Sequence, residues 1–61
     1  DQSHAPDLIA ELDHPEALVA AHAAWALGKI GGGPARQALE KRLAAESREA
    51  VRREIALALE A

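Results

Sequence analysis

Five cations, Lys41, Arg42, Arg48, Arg52 and Arg53, crowd the second half of this 61-residue chain, while its single tryptophan, Trp25, stands in the first half between His22 and Lys29. The guanidinium forks match phosphate oxygens, so the cluster could contact a nucleic-acid backbone. It reads equally as a solvated surface, with Arg48 pairing near Glu49 and Arg53 reaching Glu49 one turn back. Leu18, His22, Trp25 and Lys29 follow i, i+4, i+7, i+11 spacing and share one helical face. Two readings of that face are open. Trp25 either packs on a neighbouring helix or repeat, or forms an exposed platform on which a partner or a base stacks beside His22 and Lys29.

Other chemistries lack their residues. His4, His14 and His22 contain no i, i+4 pair, so they do not form a metal set. There is no cysteine, and neither Ser3 nor Ser47 has a general base at helical spacing. The carboxylates are scattered over helix starts and surfaces, where nothing would raise a pKa. Gly31-Gly32-Gly33 follows a helical pattern and lacks the Lys-Ser/Thr ending of a phosphate loop, so it reads as a turn. The chain by itself is expected to be a binding or structural module rather than an enzyme, holding no cofactor and no metal.

The elements that must position these residues are four helices. The first, about 5–12, has Pro6 in its opening turn after a cap at Ser3 or His4, and puts Leu8, Ile9 and Leu12 on one face. It ends at Asp13-His14-Pro15, because the residue before a proline is pushed out of α space. The second runs about 15–30, capped by Asp13 or His14, with Glu16 in its first turn and a stripe of Val19, Ala23, Ala26, Leu27 and Ile30. Gly31-Gly32-Gly33-Pro34 stops it. The third, about 34–45, places Ala35, Ala38, Leu39 and Leu43 on one side and Glu40, Lys41 and Arg42 mostly outward. The fourth runs from about Ser47, its expected N-cap, to the end, with Val51, Ile55, Ala58 and Leu59 on one face. No sustained alternation supports a strand.

Composition bounds what these helices can do alone. The chain is 49% hydrophobic, but it has no Phe, Tyr or Met. A 60-residue domain buries only roughly 60% of its unfolded surface. Without cysteine no disulfide can compensate, which points to a cytoplasmic protein. A chain that starts at Asp1 and contains no Met reads as processed or excised from a longer protein. No apolar run approaches the roughly 20 residues that cross a bilayer. Net charge is −3, divided unevenly. Asp1, Asp7, Glu11, Asp13 and Glu16 are unopposed before Lys29, whereas all seven basic residues fall after Gly28. The overall acidity argues against a general nucleic-acid binder and leaves a local anion site open.

The pattern repeats. Leu8 and Leu12 match Leu39 and Leu43, while Val19, Ala24, Ala26 and Leu27 match Val51, Ala56, Ala58 and Leu59. The extra residue of the second repeat falls in its turn. A single helix pair cannot cover its own apolar face, so pairs stack. The expected fold is an all-α solenoid fragment of two helix pairs, four helices, with repeat one at about 5–31 and repeat two at about 34–61.

The run Val19-Ala-Ala-His-Ala-Ala-Trp-Ala-Leu-Gly28-Lys-Ile-Gly31, preceded by Asp13-His14-Pro15-Glu16, resembles the HEAT-like repeat of the phycobilisome-lyase type. Residues 6–61 fit two such repeats. The family's usual Arg after the Val is Ala20 in the first and Arg52 in the second. Glu60 replaces the Gly seen at Gly28, so the second repeat reads as a terminal one. His22-Ala-Ala-Trp25-Ala-Leu-Gly28, with Ala35–Leu43 and Val51-Arg-Arg-Glu-Ile55, is also similar to the C-terminal HEAT-like repeats of epoxyqueuosine reductases. Those iron–sulfur and cobalamin enzymes complete queuosine in tRNA, and their repeats help hold the tRNA. That resemblance implies a tRNA-contacting module, with phosphate contacts among Lys41, Arg42, Arg48, Arg52 and Arg53. The clusters and cobalamin would then lie in other domains of an oxidoreductase parent. HEAT-like proteins that bind iron, such as deoxyhypusine hydroxylase, use a His-Glu pair in the second helix. The corresponding positions here are Ala21-His22 and Arg53-Glu54, and neither matches. The alternative implied function is a protein–protein scaffold using Leu18, His22, Trp25 and Lys29. Its expected partners are protein neighbours, upstream domains or a second copy at the open repeat ends, with no membrane role.

Overall fold

The computed structural model describes residues 5–60. Four helices are present among them: α1 (Ala5–Glu11), α2 (Ala17–Ile30), α3 (Gly33–Ala45) and α4 (Glu49–Glu60). The expected caps at Ser3 and His4 lie outside the described residues.

Each boundary has a local cause. After α1, Leu12 and His14 donate to the carbonyls of Ile9 and Glu11 at 3.2 and 3.0 Å, and Pro15 bars continuation. Neither Asp13 nor His14 is the N-cap of α2. Glu16 takes that position with extended backbone, and its N–H donates to Nδ1 of His14 at 3.0 Å. Gly31 ends α2 at φ 73°, a left-handed conformation that a side chain would strain, and its N–H donates to the Leu27 carbonyl at 2.9 Å. Pro34 then sits in the first turn of α3, where no N–H is needed.

The start of α4 corrects the expectation for Ser47, which is exposed and caps nothing; the helix begins two residues later. Its first intrahelical bond runs from the Arg52 N–H to the Arg48 carbonyl at 2.9 Å. The Arg48 N–H is taken by the Glu46 carboxylate at 2.8 Å. A carboxylate anchored by neighbouring arginines displaces the weaker serine hydroxyl from this role.

The helices form two layers. Arg48 reaches the backbone at the start of α2, and Gly28 meets Ala58 near both C-termini, so α2 and α4 run parallel. Arg36 at the start of α3 donates to the Leu59 carbonyl at 3.0 Å, which makes α3 and α4 antiparallel. The α2–α4 contact is the most extensive between any two helices. Between the layers lie Leu12, Ala20, Ala23, Ala24, Leu27, Ala35, Leu39, Val51 and Ile55, with Leu8, Ile9, Ala38, Leu43, Ala58 and Leu59 packed around them. Fully burying a side chain of the size of Val51 or Ile55 contributes about 1.5–3 kcal/mol.

One stripe is rotated from its expected position. Ala23 and Leu27 are buried, but Val19, Ala26 and Ile30 are only partly covered. Ala20 and Ala24 are buried instead. The reason is that α2 is flanked by α4 as well as by the outer layer, so its buried arc turns toward Ala20, Ala24 and Gly28.

Candidate functional site

Leu18, His22, Trp25 and Lys29 all emerge on the exposed face of α2, opposite the outer layer. Trp25 is 51% exposed and Leu18 81%, so neither belongs to the core of the described residues. The Trp25 ring is held by its neighbours. The His22 ring lies 5.6 Å away, tilted by 30°, and the Lys29 Nζ stands 5.6 Å from the ring centroid. Such a cation–π contact at an exposed site is worth about 0.5–1 kcal/mol, enough to bias the ring's orientation.

The repeat supplies a second wall. Leu57 occupies the position in α4 that Trp25 occupies in α2, and it is 54% exposed. Between them runs a shallow groove of about 330 Å³, lined by Trp25, Gly28, Lys29, Glu54, Leu57 and Ala58. Gly28 and Ala58 form its floor because the helices nearly touch there: a Cβ on Gly28 would lie 2.8 Å from that of Ala58. Lys29 and Glu54 put one charge of each sign on its edges. Sequence reasoning found the α2 half of this surface; it matched Leu57 to Trp25 but took the change of residue to mean that the feature is not repeated, and it did not place Glu54 here. The signal was the offset between repeats, which carries Trp25 onto Leu57 and His22 onto Glu54.

The five cations divide. Arg48 is spent inside the protein: its Nε and Nη2 grip the two oxygens of Glu46 at 2.7 and 3.0 Å. Its Nη1 donates to the carbonyls of His14 and Pro15 at 2.7 and 3.2 Å. Arg42 donates to the same carboxylate at 3.1 Å, and is therefore half-buried rather than turned outward. Arg52 donates to the carbonyls of Leu43 and Glu46 at 2.8 and 2.9 Å. These three arginines tie the α3–α4 turn to itself and to the α1–α2 turn. Arg48 pairs with Glu46, not near Glu49, and no Arg53–Glu49 ion pair occurs among the described residues. Lys41 and Arg53 are exposed and make no ion pair or side-chain hydrogen bond among the described residues. Lys41 borders a depression of about 320 Å³ between α1 and α3, whereas Arg53 lies on α4.

Glu46 is the hub, a buried carboxylate that sequence reasoning did not single out. The Arg48 guanidinium lowers its pKa from 4.5 to about 2, with help from the Arg48 N–H and from Arg42, against the opposing cost of burial. Arg42 four residues before it and Arg48 two after were the available signal. Among the described residues, no group of three or more His, Asp or Glu is arranged to hold a metal ion. No helix among them is long and apolar enough to cross a membrane.

A family model described as HEAT repeats matches residues 1–60. No curated protein and no solved structure matches the chain.

Proposed function

The chain belongs to the HEAT repeat family, and from that premise we propose that it is a protein-interaction module that holds a partner's helix or extended segment along the α2–α4 groove. The exposure of Trp25 and Leu57, side by side at matched repeat positions, carries this reading. Leaving two large apolar side chains half in water forgoes about 1 kcal/mol for each, roughly half of what full burial of such a side chain contributes. A Trp in a pocket with an apolar neighbour and charged edges has the composition of an interface hot spot. Lys29 and Glu54 would set the direction of the bound segment, since reversing it exchanges the charges they meet.

The test is a selection of displayed peptides on the intact chain, followed by binding titrations with Trp25→Ala and Leu57→Ala. Each substitution should weaken a selected peptide at least tenfold while helical circular dichroism is unchanged. Peptides that bind both variants as well as the parent would remove the proposal.

A second reading is favoured by Lys41 and Arg53, the two exposed cations left without partners among the described residues, together with the likeness to tRNA-holding repeats of epoxyqueuosine reductases. It assigns these residues to RNA backbone. The iron–sulfur clusters and cobalamin of such enzymes would belong to other domains, since this chain has no thiolate to offer. Filter binding of tRNA to the chain and to Lys41→Glu/Arg53→Glu decides it. Equal retention of tRNA by both eliminates the RNA role.

A further inference from the structure

The exposed face of α2 and α4 complements itself. Leu18, Trp25 and Leu57 are the large hydrophobic side chains left exposed among the described residues, and all three lie on this face. Two charges, Lys29 and Glu54, border the groove between Trp25 and Leu57. Neither has an ion pair among the described residues. Their placement is diagonal. Lys29 lies one turn beyond Trp25 on α2, whereas Glu54 lies three residues before Leu57 on α4. Because α2 and α4 run parallel and Trp25 matches Leu57, the cation stands past that level on one wall and the anion short of it on the other.

A patch of this form suits an isologous contact, in which the same surface serves both partners. A two-fold axis that passes between the two charges exchanges them. A second copy turned over onto the first then offers its Glu54 to Lys29 and its Lys29 to Glu54. The same operation brings the Trp25 and Leu57 surfaces of the two copies together. A foreign partner would need its own charges in the matching places, whereas a second copy carries them by symmetry.

We propose that the Trp25–Leu57 face docks the same face of a second copy of the chain about a two-fold axis, with Trp25 at the centre and a Lys29–Glu54 pair on either side. The proposal rests on the groove reading above and names the occupant. An interface of standard size takes about 800 Å² from each partner, about one fifth of the 3939 Å² that this chain exposes. Two helices of 14 and 12 residues present a face at the lower end of that size, which makes the dimer a reversible one. The apolar contact supplies affinity and the charges set the register. In the free chain the Lys29 Nζ stands 5.6 Å from the Trp25 ring centroid. On docking it turns to Glu54 of the second copy and leaves that side of the ring to the apolar contact.

Sedimentation equilibrium of the intact chain from micromolar to millimolar concentration should show monomer and dimer in exchange, and Trp25 emission should move to the blue over the same range. Trp25→Ala should weaken dimerisation at least roughly tenfold. Lys29→Glu and Glu54→Lys each set like charges together twice per dimer, and each should weaken it about tenfold. Mixed in equal amounts, these two variants should form a heterodimer with the parental affinity, because every facing pair is then opposite in sign. A chain that stays monomeric to millimolar concentration overturns the proposal; peptides that still bind it through Trp25 and Leu57 would keep the groove as a site for a foreign segment. A dimer that Trp25→Ala leaves intact, or single charge reversals that mixing does not rescue, overturns it as well.

Discussion

At the scale of the residue, the strongest single commitment is Glu46. The residue is 3% exposed and its carboxylate receives donors from Arg48 and Arg42, while Arg48 continues to the His14 carbonyl in the other repeat. A buried anion of this kind is stable only while its donors stay in place. Its folded pKa, about 2, lies below the ordinary 4.5. The stabilisation is therefore fully present above about pH 4.5 and is lost as the pH falls toward 2. Glu46→Gln should lower stability at neutral pH by about 1–3 kcal/mol and remove that part of the acid dependence. Denaturant titrations of both proteins at several pH values check this: the two should differ at pH 7 and converge near pH 2. A constant difference across that range would contradict it. Glu46 was hard to read in advance because its role depends on the turn geometry. Ser47 next to it satisfies every local preference for an N-cap, yet a charged acceptor with two arginine partners outcompetes it.

At the scale of the element, spacing identified all four helices to within two residues at the described boundaries, because Pro15 and Gly31 stop α1 and α2 and Pro34 suits the first turn of α3. The face of α2 was less legible. Ala17, Ala20, Ala21, Ala23, Ala24 and Ala26 surround that helix with residues of equal, small apolar size, so its few larger residues drew the stripe toward Val19 and Ile30. What turned it was the close crossing at Gly28, a contact between parts of the chain 30 residues apart. That crossing gives a prediction opposite to helix propensity, which favours alanine over glycine by about 1 kcal/mol. Gly28→Ala would set its Cβ 2.8 Å from the Ala58 Cβ and 3.0 Å from its Cα, atoms that cannot swing aside. The substitution should destabilise the chain by about 1–3 kcal/mol, read from the urea midpoint. A stabilised variant would mean that α2 and α4 do not approach this closely.

At the scale of the molecule, the repeat explains what was legible and what was not. Matching Val19 to Val51 and Leu27 to Leu59 points to two equivalent inner helices with matching buried surfaces, but the helices, although parallel, do not bury matching residues: Val51 is fully buried where Val19 is only partly covered, and Leu27 is more deeply buried than Leu59. It could not tell which side chains of that layer meet water, because Trp25 and Leu57 have the composition of core residues and the exposure of surface ones. Nor could it separate arginines that fasten turns from cations facing outward. Three of the five clustered cations were absorbed once the turns folded together. The asymmetry of charge along the chain is thus partly structural, since Arg48 of the second repeat holds the backbone of the first while Arg42 and Arg52 fasten the turn beside it.

The claim on which the functional reading stands is that Trp25 lies on the surface of the folded chain. It is the only tryptophan, so intrinsic fluorescence reports on it alone. In the native monomer its emission should resemble that of a solvated indole, acrylamide should quench it readily, and urea unfolding should shift its wavelength little. A blue-shifted native emission, shielded from acrylamide and moving to the red on unfolding, would place Trp25 in the interior and contradict the account.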